Sequence, residues 1–281
     1  MLIVQPEVKQ RYFLHLAFDG TNYCGWQVQA NAPSVQQTIN EALFKLLGHE
    51  IRSMGCGRTD SGVHAKDFYM HFDAYKEIKD LKDFLFRLNC VLPDDISIYS
   101  ILPMEEKAHA RFDATERTYE YYIYFDKSPF VRRFACYQGF YKIDWGKVVE
   151  AAEFIKSIED FTSLCLPSED FKTNLCYIKQ SRWDVLPAQH LIHKLYDAQD
   201  VSPINAKTGP LKGEVFRFTI TSNRFLRGMV RRIVGTSLMV GKGKISPELF
   251  KETVSAKKEF KVHHLAPPNG LFLSKIKYPY I

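Results

Sequence analysis

The sequence lacks several features that would assign a protein to a common functional class. It contains no apolar run approaching the length of a bilayer span, and residues 1–9 lack the apolar segment of a signal peptide. Its six cysteines include no C-x-x-C pair, which argues against a zinc ribbon, a redox motif and a secreted disulfide framework. The G-x-x-x-x-G-K-[ST] loop and the dinucleotide-binding fingerprint are missing too. We therefore expect a soluble, cytoplasmic protein with reduced cysteines, no metal and no cofactor.

Basic residues are only slightly in excess. The 38 Lys and Arg and the 32 Asp and Glu give a formal net charge of +6, less than the strongly basic balance that by itself indicates a nucleic-acid partner. Their distribution is more informative, because basic residues gather at 127–133, 224–232 and 242–261. For the first of these clusters, an RNA contact and an ordinary solvated surface are equally good interpretations.

The length and the apolar content predict one large domain or two closely packed halves. The chain has 281 residues, of which 46% are hydrophobic, with 15 Tyr and 21 Phe. We divide it into an N-terminal α+β lobe, 1–108, and a C-terminal α+β lobe, 109–281. In the first lobe the patterns predict strand, helix, strand, strand, helix, strand, which is typical of an antiparallel sheet with helices on one face.

The second lobe repeats this style. Its patterns predict strands at 117–125, 174–186, 214–222 and 271–277, and helices at 144–157, at 224–240 and from Ser246. Residues 187–213 form an insertion-like hairpin or loop. We therefore expect two related lobes that form an extended, mainly antiparallel sheet.

One glycine-rich stretch, 55–65, combines opposite charges with a predicted strand–loop–strand geometry. Arg58 and Asp60 stand two residues apart, so that in a strand-like conformation they would point the same way. A neighbouring guanidinium would keep the carboxylate ionised and oriented, as a nucleophile or general base requires. The alternative is an ordinary Asp-Ser-Gly turn with Arg58 solvated.

Two further elements carry candidate functional side chains. On the predicted helix 224–240, Arg224, Arg227 and Arg231 fall within one narrow stripe, which is either a solvated face or an anion-binding one. Tyr119 lies in a strand rich in tyrosine, where half-buried sheet packing is the common role of such a residue.

Several motifs, taken together, identify a family resemblance. Residues 57–64, Gly-Arg-Thr-Asp-Ser-Gly-Val-His, resemble the catalytic signature of the TruA-type tRNA pseudouridine synthases. No single motif is that specific, but the matches follow one another in order along almost the whole chain. The other matching stretches are 18–27, 34–36, 109–112 with 117–119, 160–163, 225–231 and 270–273.

The resemblance implies a reaction and a set of side-chain roles. A pseudouridine synthase breaks the N1–C1′ bond of a uridine in RNA, turns the base and reattaches it through C5, without redox change or group donor. Asp60 would act as nucleophile or as base on the ribose, with Arg58 filling the space of the extruded base and Tyr119 stacking on that base. Arg231 would fix the carboxylate, and Leu271 would form part of the pocket wall. Arg224, Arg227 and Arg232 are weaker candidates for phosphate contacts.

The resemblance also implies the partners. The substrate would be tRNA, modified at uridines 38 to 40 of the anticodon stem-loop, and the enzyme a homodimer with its active cleft between the lobes. The stretch after 160–163 and the 187–213 loop depart from the bacterial family pattern, which leaves the target uridines open. The alternatives are a related synthase acting at other RNA positions and a non-catalytic RNA-binding protein of the same fold. A glycoside hydrolase is excluded because no second carboxylate partner is evident.

Overall fold

The computed structural model describes residues 10–167, 172–186, 202–203, 214–261 and 264–281. Within these ranges the chain is an α+β protein whose strand pairs are mainly antiparallel, as the sequence predicts. Contacts divide it into two compact units. The first extends to Thr115 and also takes up Leu273–Ile281, and the second is Glu116–Phe272. The division lies a few residues beyond the boundary drawn at 108, and the last strand returns to the first unit.

The first unit has the element order that the sequence predicts. Its elements are β1 (Gln10–Phe18), α1 (Val35–Leu47), β2 (Met54–Gly55), β3 (His64–Ala74), α2 (Leu81–Val91) and β4 (Ile96–Met104). Strand β1 lies between β3 and β4 and pairs antiparallel with both, while β2 pairs with β3.

Polar side chains set the helix starts of this unit. Ser34 accepts a hydrogen bond from the amide of Gln37 at 3.3 Å, and Gly48 ends α1 in the left-handed conformation with φ 74°. Asp80 caps α2 by accepting from the amides of Lys82 and Asp83 at 3.0 and 2.9 Å. Both helices therefore begin where their capping residues predict.

The second unit is built on three long antiparallel strands. Strand β9 pairs with β5 on one side and with β7 on the other, β8 pairs with β7, and β6 runs parallel to β5. Its elements are β5 (Glu116–Tyr124), β6 (Cys136–Tyr137), α3 (Trp145–Ile155), β7 (Ile178–Leu186), β8 (Ser202–Pro203), β9 (Val215–Ser222), α4 (Met229–Gly241), α5 (Pro247–Ser255) and the start of β10 (Leu271–Lys277).

The core of the second unit combines aromatic packing with a buried charge network. Trp145 stacks on Phe216 at 4.1 Å between ring centroids. On β9, the buried Arg217 pairs with Glu120 and with Asp184, each at 3.2 Å. These contacts tie β5, β9 and β7 together, because each strand contributes one charged member.

The structure changes three boundaries that were expected from the sequence. The strand predicted from residue 174 begins at Ile178, and the strand that leads into the glycine-rich stretch is only the two-residue β2. The helix predicted at 224–240 begins at Met229. Of the 187–213 segment, only Ser202–Pro203 lies within the described residues. No helix in the described ranges is both long and apolar enough to span a membrane.

Candidate active site

The glycine-rich stretch forms a tight loop between β2 and β3. Strand pairing stops at Gly55 and resumes at His64, so Arg58 and Asp60 lie in the loop itself. The alternation expected of a strand therefore does not orient these two side chains. Arg58 is exposed and Asp60 is half-buried. The amide of Val63 donates to the carbonyl of Asp60 at 3.2 Å and closes the turn that follows the carboxylate.

This loop is held by a supporting segment, residues 19–27, from the end of β1. The amide of Gly62 and the hydroxyl of Ser61 both donate to the carbonyl of Tyr23, at 3.1 and 3.3 Å. On the other side of Asp60, the amide of Trp26 donates to the carbonyl of Thr59 at 3.4 Å. The backbone is thus tied down immediately before and immediately after the candidate catalytic residue.

Two glycines of the supporting segment allow the two backbones to approach closely. A Cβ at Gly20 would lie 2.0 Å from the carbonyl oxygen of Val63, and a Cβ at Gly25 would lie 2.2 Å from that of Thr59. Gly25 also has a φ of +86°, a conformation that other residues rarely adopt. No larger residue fits at either place unless the loop moves.

Trp26 packs beneath the loop. It is buried, and its ring lies 4.1 Å from that of Phe68 on β3. A Cβ at Gly55 would meet the Trp26 indole nitrogen at 2.4 Å, so that glycine is explained by packing. Trp26 therefore has a packing role, while the next residue, Gln27, is exposed.

His64 and Asp19 join the end of the loop to the supporting segment. His64 is 1% exposed, and its Nδ1 lies 3.0 Å from Asp19 Oδ1 and 3.1 Å from the amide nitrogen of Gly20. His64 Nδ1 donates to Asp19 when it carries a proton, and it accepts from the amide of Gly20 when it does not. Burial alone would raise the pKa of Asp19, but hydrogen bonds from His64 and Thr21 hold it at about 2.

Tyr119 lies in the second unit, on β5. Its side chain is buried, and its ring meets that of Phe225 edge to face with centroids 4.9 Å apart. The residue pairs with Ile220 across the sheet. The sheet packing expected from the sequence is therefore present, with the side chain buried rather than half-buried, and an aromatic neighbour orients the ring.

Arg231 is fixed near the start of α4. Its Nε donates to the carbonyl of Ala266 at 2.7 Å, and the amide of Ala266 donates back to the carbonyl of Arg231 at 3.1 Å. The next residue, Pro267, accepts from the hydroxyl of Tyr121 on β5 at 2.8 Å. The segment 266–271 thus connects the helix of Arg231 with the strand of Tyr119, and it ends at Leu271, which is buried.

The arginine stripe expected on one long helix does not exist as such. Gly228 has a φ of +64° and a Cβ there would meet Leu166, so α4 cannot extend back through it. Arg224 and Arg227 therefore lie on the connection between β9 and α4. Arg224 donates to the carbonyl of Thr173 at 3.3 Å.

Arg232 differs from the other arginines of this region. It is buried, and its NH1 donates to the carbonyl of Cys165 at 2.6 Å. This position corrects the sequence-based expectation of a phosphate contact, which requires a guanidinium that solvent can reach.

The described residues contain no group of three His, Cys, Asp or Glu side chains arranged to hold a metal ion. All six cysteines lie within the described ranges, and none of them forms a disulfide.

The candidate residues fall into two groups. Arg58 and Asp60 lie in one loop of the first unit. In the second unit, Arg231 contacts the 266–271 segment, which ends at Leu271, and Tyr119 lies on β5, the strand whose Tyr121 donates to Pro267.

Sequence reasoning missed the residues that hold the loop. Gly20, Gly25 and Tyr23 act through their backbones, and His64 acts from a buried position. The only signal in the sequence was that 18–27 and 57–64 both matched motifs of one family, without any indication that the two motifs touch.

Comparisons with known proteins identify the class. A family model described as tRNA pseudouridine synthase matches residues 159–279. The tRNA pseudouridine synthase A of Bacteroides thetaiotaomicron is 40% identical over 270 residues, 96% of this chain and 91% of the relative. That of Bacteroides fragilis is 40% identical over 270 residues, 96% of this chain and 97% of the relative.

A relative of lower identity gives the same result. The tRNA pseudouridine synthase A of Clostridium acetobutylicum is 35% identical over 267 residues, 94% of this chain and 98% of the relative. The chain therefore belongs to the tRNA pseudouridine synthase A family, as its motifs indicated. It is a pseudouridine synthase, an isomerase.

Proposed function

We propose that this chain isomerises uridine to pseudouridine in the anticodon stem-loop of tRNA, at positions 38 to 40, and that it acts in the cytoplasm as a homodimer. The observation that carries the proposal is its 40% identity, over 96% of the chain, to a protein named tRNA pseudouridine synthase A. The uninterrupted Gly-Arg-Thr-Asp-Ser-Gly-Val-His at 57–64 supports the same assignment.

Asp60 is the residue to which we assign the chemistry. Its ionised carboxylate acts as nucleophile, or as base on the ribose, while the N1–C1′ bond breaks and the C5–C1′ bond forms. A base that leaves its helical stack must be received by a shaped pocket. Arg58 fills the space that the extruded base leaves in the RNA, and no redox partner or group donor takes part.

The support of the loop is what makes Asp60 suitable for this role. Thr59 and Gly62, on either side of it, are hydrogen-bonded to Trp26 and Tyr23 of the supporting segment. Catalysis needs reacting groups held close to the productive geometry by surrounding structure. A half-buried carboxylate on a backbone fixed at both sides meets that requirement better than one on a solvated turn.

We assign the remaining roles to residues of the second unit. The ring of Tyr119 stacks on the target base, Arg231 positions the carboxylate or the flipped nucleotide, and Leu271 forms part of the pocket wall. Arg224 and Arg227, on the connection before α4, contact phosphates. For Arg232 we propose a structural role, because its guanidinium is buried against the carbonyl of Cys165.

The test is tritium release from tRNA transcripts that carry [5-³H]uridine, since attachment through C5 releases the hydrogen of that carbon. Wild type is compared with Asp60→Asn, which removes the charge at almost constant shape. Asp94→Asn, at an exposed carboxylate in the same unit, is the matched control. We expect release by wild type and the control, and none by Asp60→Asn, with tRNA affinity unchanged in all three.

Mapping of the modified positions then tests the substrate. Pseudouridine at 38 to 40 supports the proposal, whereas modification elsewhere indicates a synthase with another target. Tight RNA binding without release indicates a binding protein of the same fold. Full activity of Asp60→Asn, or loss of RNA affinity along with activity, contradicts the role of Asp60.

A further inference from the structure

One stretch of the second unit exposes aromatic rings among basic side chains without any role in the site described above. We call residues 126–142, which follow β5 and include β6, the aromatic–basic segment. Phe130 and Phe140 are 80% and 85% exposed, and Tyr141 is 51% exposed. Large rings are normally kept from water, so several exposed ones within one short stretch of chain indicate a binding surface.

These exposed rings are carried by a backbone that is itself well packed. Val131, Phe134 and Tyr137 turn inward and pack against the core cluster that contains Tyr122 and Phe272. The exposed residues are therefore presented outward by the same stretch that buries its other side chains. Their exposure does not come from a segment detached from the core.

The segment is also strongly cationic. It contains Lys127, Arg132, Arg133 and Lys142 but a single carboxylate, Asp126, which gives it a net charge of +3, half that of the whole chain. A fifth cation comes from the end of α4. Lys242 places its Nζ 3.7 Å from the centroid of the Tyr141 ring and donates to Gln138 at 2.8 Å.

The segment is attached to the part of the second unit that carries candidate site residues. The side chain of Asn269 donates to the carbonyls of Arg132 and Ala135, at 2.8 and 3.0 Å. Asn269 belongs to the 266–271 segment, whose Ala266 accepts from Arg231. One short stretch of chain thus holds the aromatic–basic segment at one point and Arg231 at another.

We propose that the aromatic–basic segment is an RNA-binding surface beyond the pocket for the target base, with unpaired bases stacking on Phe130 and Phe140 and backbone phosphates bound by the surrounding cations. The inference rests on the proposed function, since the RNA is taken to be the substrate. Aromatic rings interleaved with cations are the combination that single-stranded nucleic acid recognises. A second copy of this chain fits less well, because a twofold interface would set this net charge of +3 against itself.

The test measures the affinity of a fluorescently labelled full-length tRNA transcript over a series of salt concentrations. Arg132→Gln with Arg133→Gln removes two cations, and Phe130→Ala with Phe140→Ala removes both rings. The matched controls are Lys76→Gln with Lys79→Gln and Phe86→Ala, at exposed positions of the first unit; the Phe86 ring is 68% exposed.

The two variants should weaken binding in different ways. Loss of the arginines should lower the affinity about tenfold and reduce the salt slope by about 1.5, because each phosphate contact contributes ~0.7–0.9 to that slope. Loss of both rings should lower the affinity ~25-fold or more with an unchanged slope, because stacking is worth ~5-fold or more per base. In both, turnover at saturating tRNA stays that of wild type and KM rises, while the controls change neither.

Affinity within twofold of wild type in both variants overturns the proposal. So does a shift to a smaller species in sedimentation with unchanged tRNA affinity, which makes the segment an interface between copies. The two proposals fail separately. A wild type that binds tRNA without converting uridine contradicts the proposed function, but the affinity comparison still decides for or against the RNA surface.

Discussion

Replacement of Gly25 by alanine is the sharpest test of how the candidate catalytic loop is held. The added Cβ would lie 2.2 Å from the carbonyl oxygen of Thr59 and 3.2 Å from the carbonyl carbon of Asp60. Ordinary contact begins near 3.4 Å, so the two chain segments must separate by about 1.2 Å at the residue before the carboxylate. A displacement of about 1 Å is enough to cost about 100-fold in rate when a reacting group is misplaced.

The same substitution also costs stability. A non-glycine residue in the left-handed region costs ~1–2 kcal/mol, and loss of the bond from the Trp26 amide to Thr59 costs ~1 kcal/mol more. We therefore expect Gly25→Ala to lower the free energy of unfolding by ~2–3 kcal/mol. Its turnover at saturating tRNA should fall by ~100-fold. Urea unfolding and single-turnover tritium release measure the two effects.

Gly48 provides the matched control. Its φ is +74°, close to that of Gly25, but a Cβ there meets nothing within 4 Å. Gly48→Ala should therefore show the backbone strain of ~1–2 kcal/mol and keep full activity. If both variants lose the same activity, or if Gly25→Ala turns over at the wild-type rate, the loop does not depend on close approach to the supporting segment.

Two further variants test separate parts of the structure. Tyr119→Phe keeps the ring that meets Phe225 at 4.9 Å, so tRNA affinity should persist, while kcat should fall by about 100-fold or more if the hydroxyl carries a proton; a wild-type kcat removes that role. Burial, helped by Arg11 and His109, lowers the pKa of His71 to about 4, against 6.5 for the ordinary side chain. The unfolded chain therefore takes up the proton first, and the free energy of unfolding should fall between pH 6.5 and 4 with a slope approaching ~1.4 kcal/mol per pH unit. His71→Gln retains an acceptor for the Ala110 amide, and in urea titrations at several pH values it should reduce the dependence of the unfolding free energy on pH. An unchanged pH dependence would mean that other groups cause it.

The sequence predicted those elements whose ends are marked by local chemistry. Ser34, Asp80, Asp144 and Ser246 each cap a helix through the side chain, so the helix starts were readable without tertiary information. The strands followed from runs of β-branched and aromatic residues. Their bounds differ from the expected ones by at most four residues.

The start of α4 could not be predicted in this way. Arginines at 224, 227 and 231 have helical spacing, but the side chain of Asn223 accepts from the amides of Tyr177 and Arg224, each at 2.9 Å. That bond keeps the chain next to β7, and Gly228 then turns it into the helix. The decisive partner, Tyr177, is 46 residues away in sequence, and no local pattern could have indicated it.

In both units, candidate side chains are positioned where another backbone segment packs closely against a glycine. In α4, Gly235 lies one turn after Arg231 on the same face, and a Cβ there would be 2.1 Å from the carbonyl oxygen of His264. That approach brings Ala266 within reach of the Arg231 guanidinium. Gly25 does the same for the loop of Asp60. The charged residues in the sequence indicate which side chains are candidates for the site. The distances between those side chains and their neighbours depend on glycines, which have no side chain. Substitutions at Gly25 and Gly235 should therefore lower turnover, although neither residue contributes a side chain to the site.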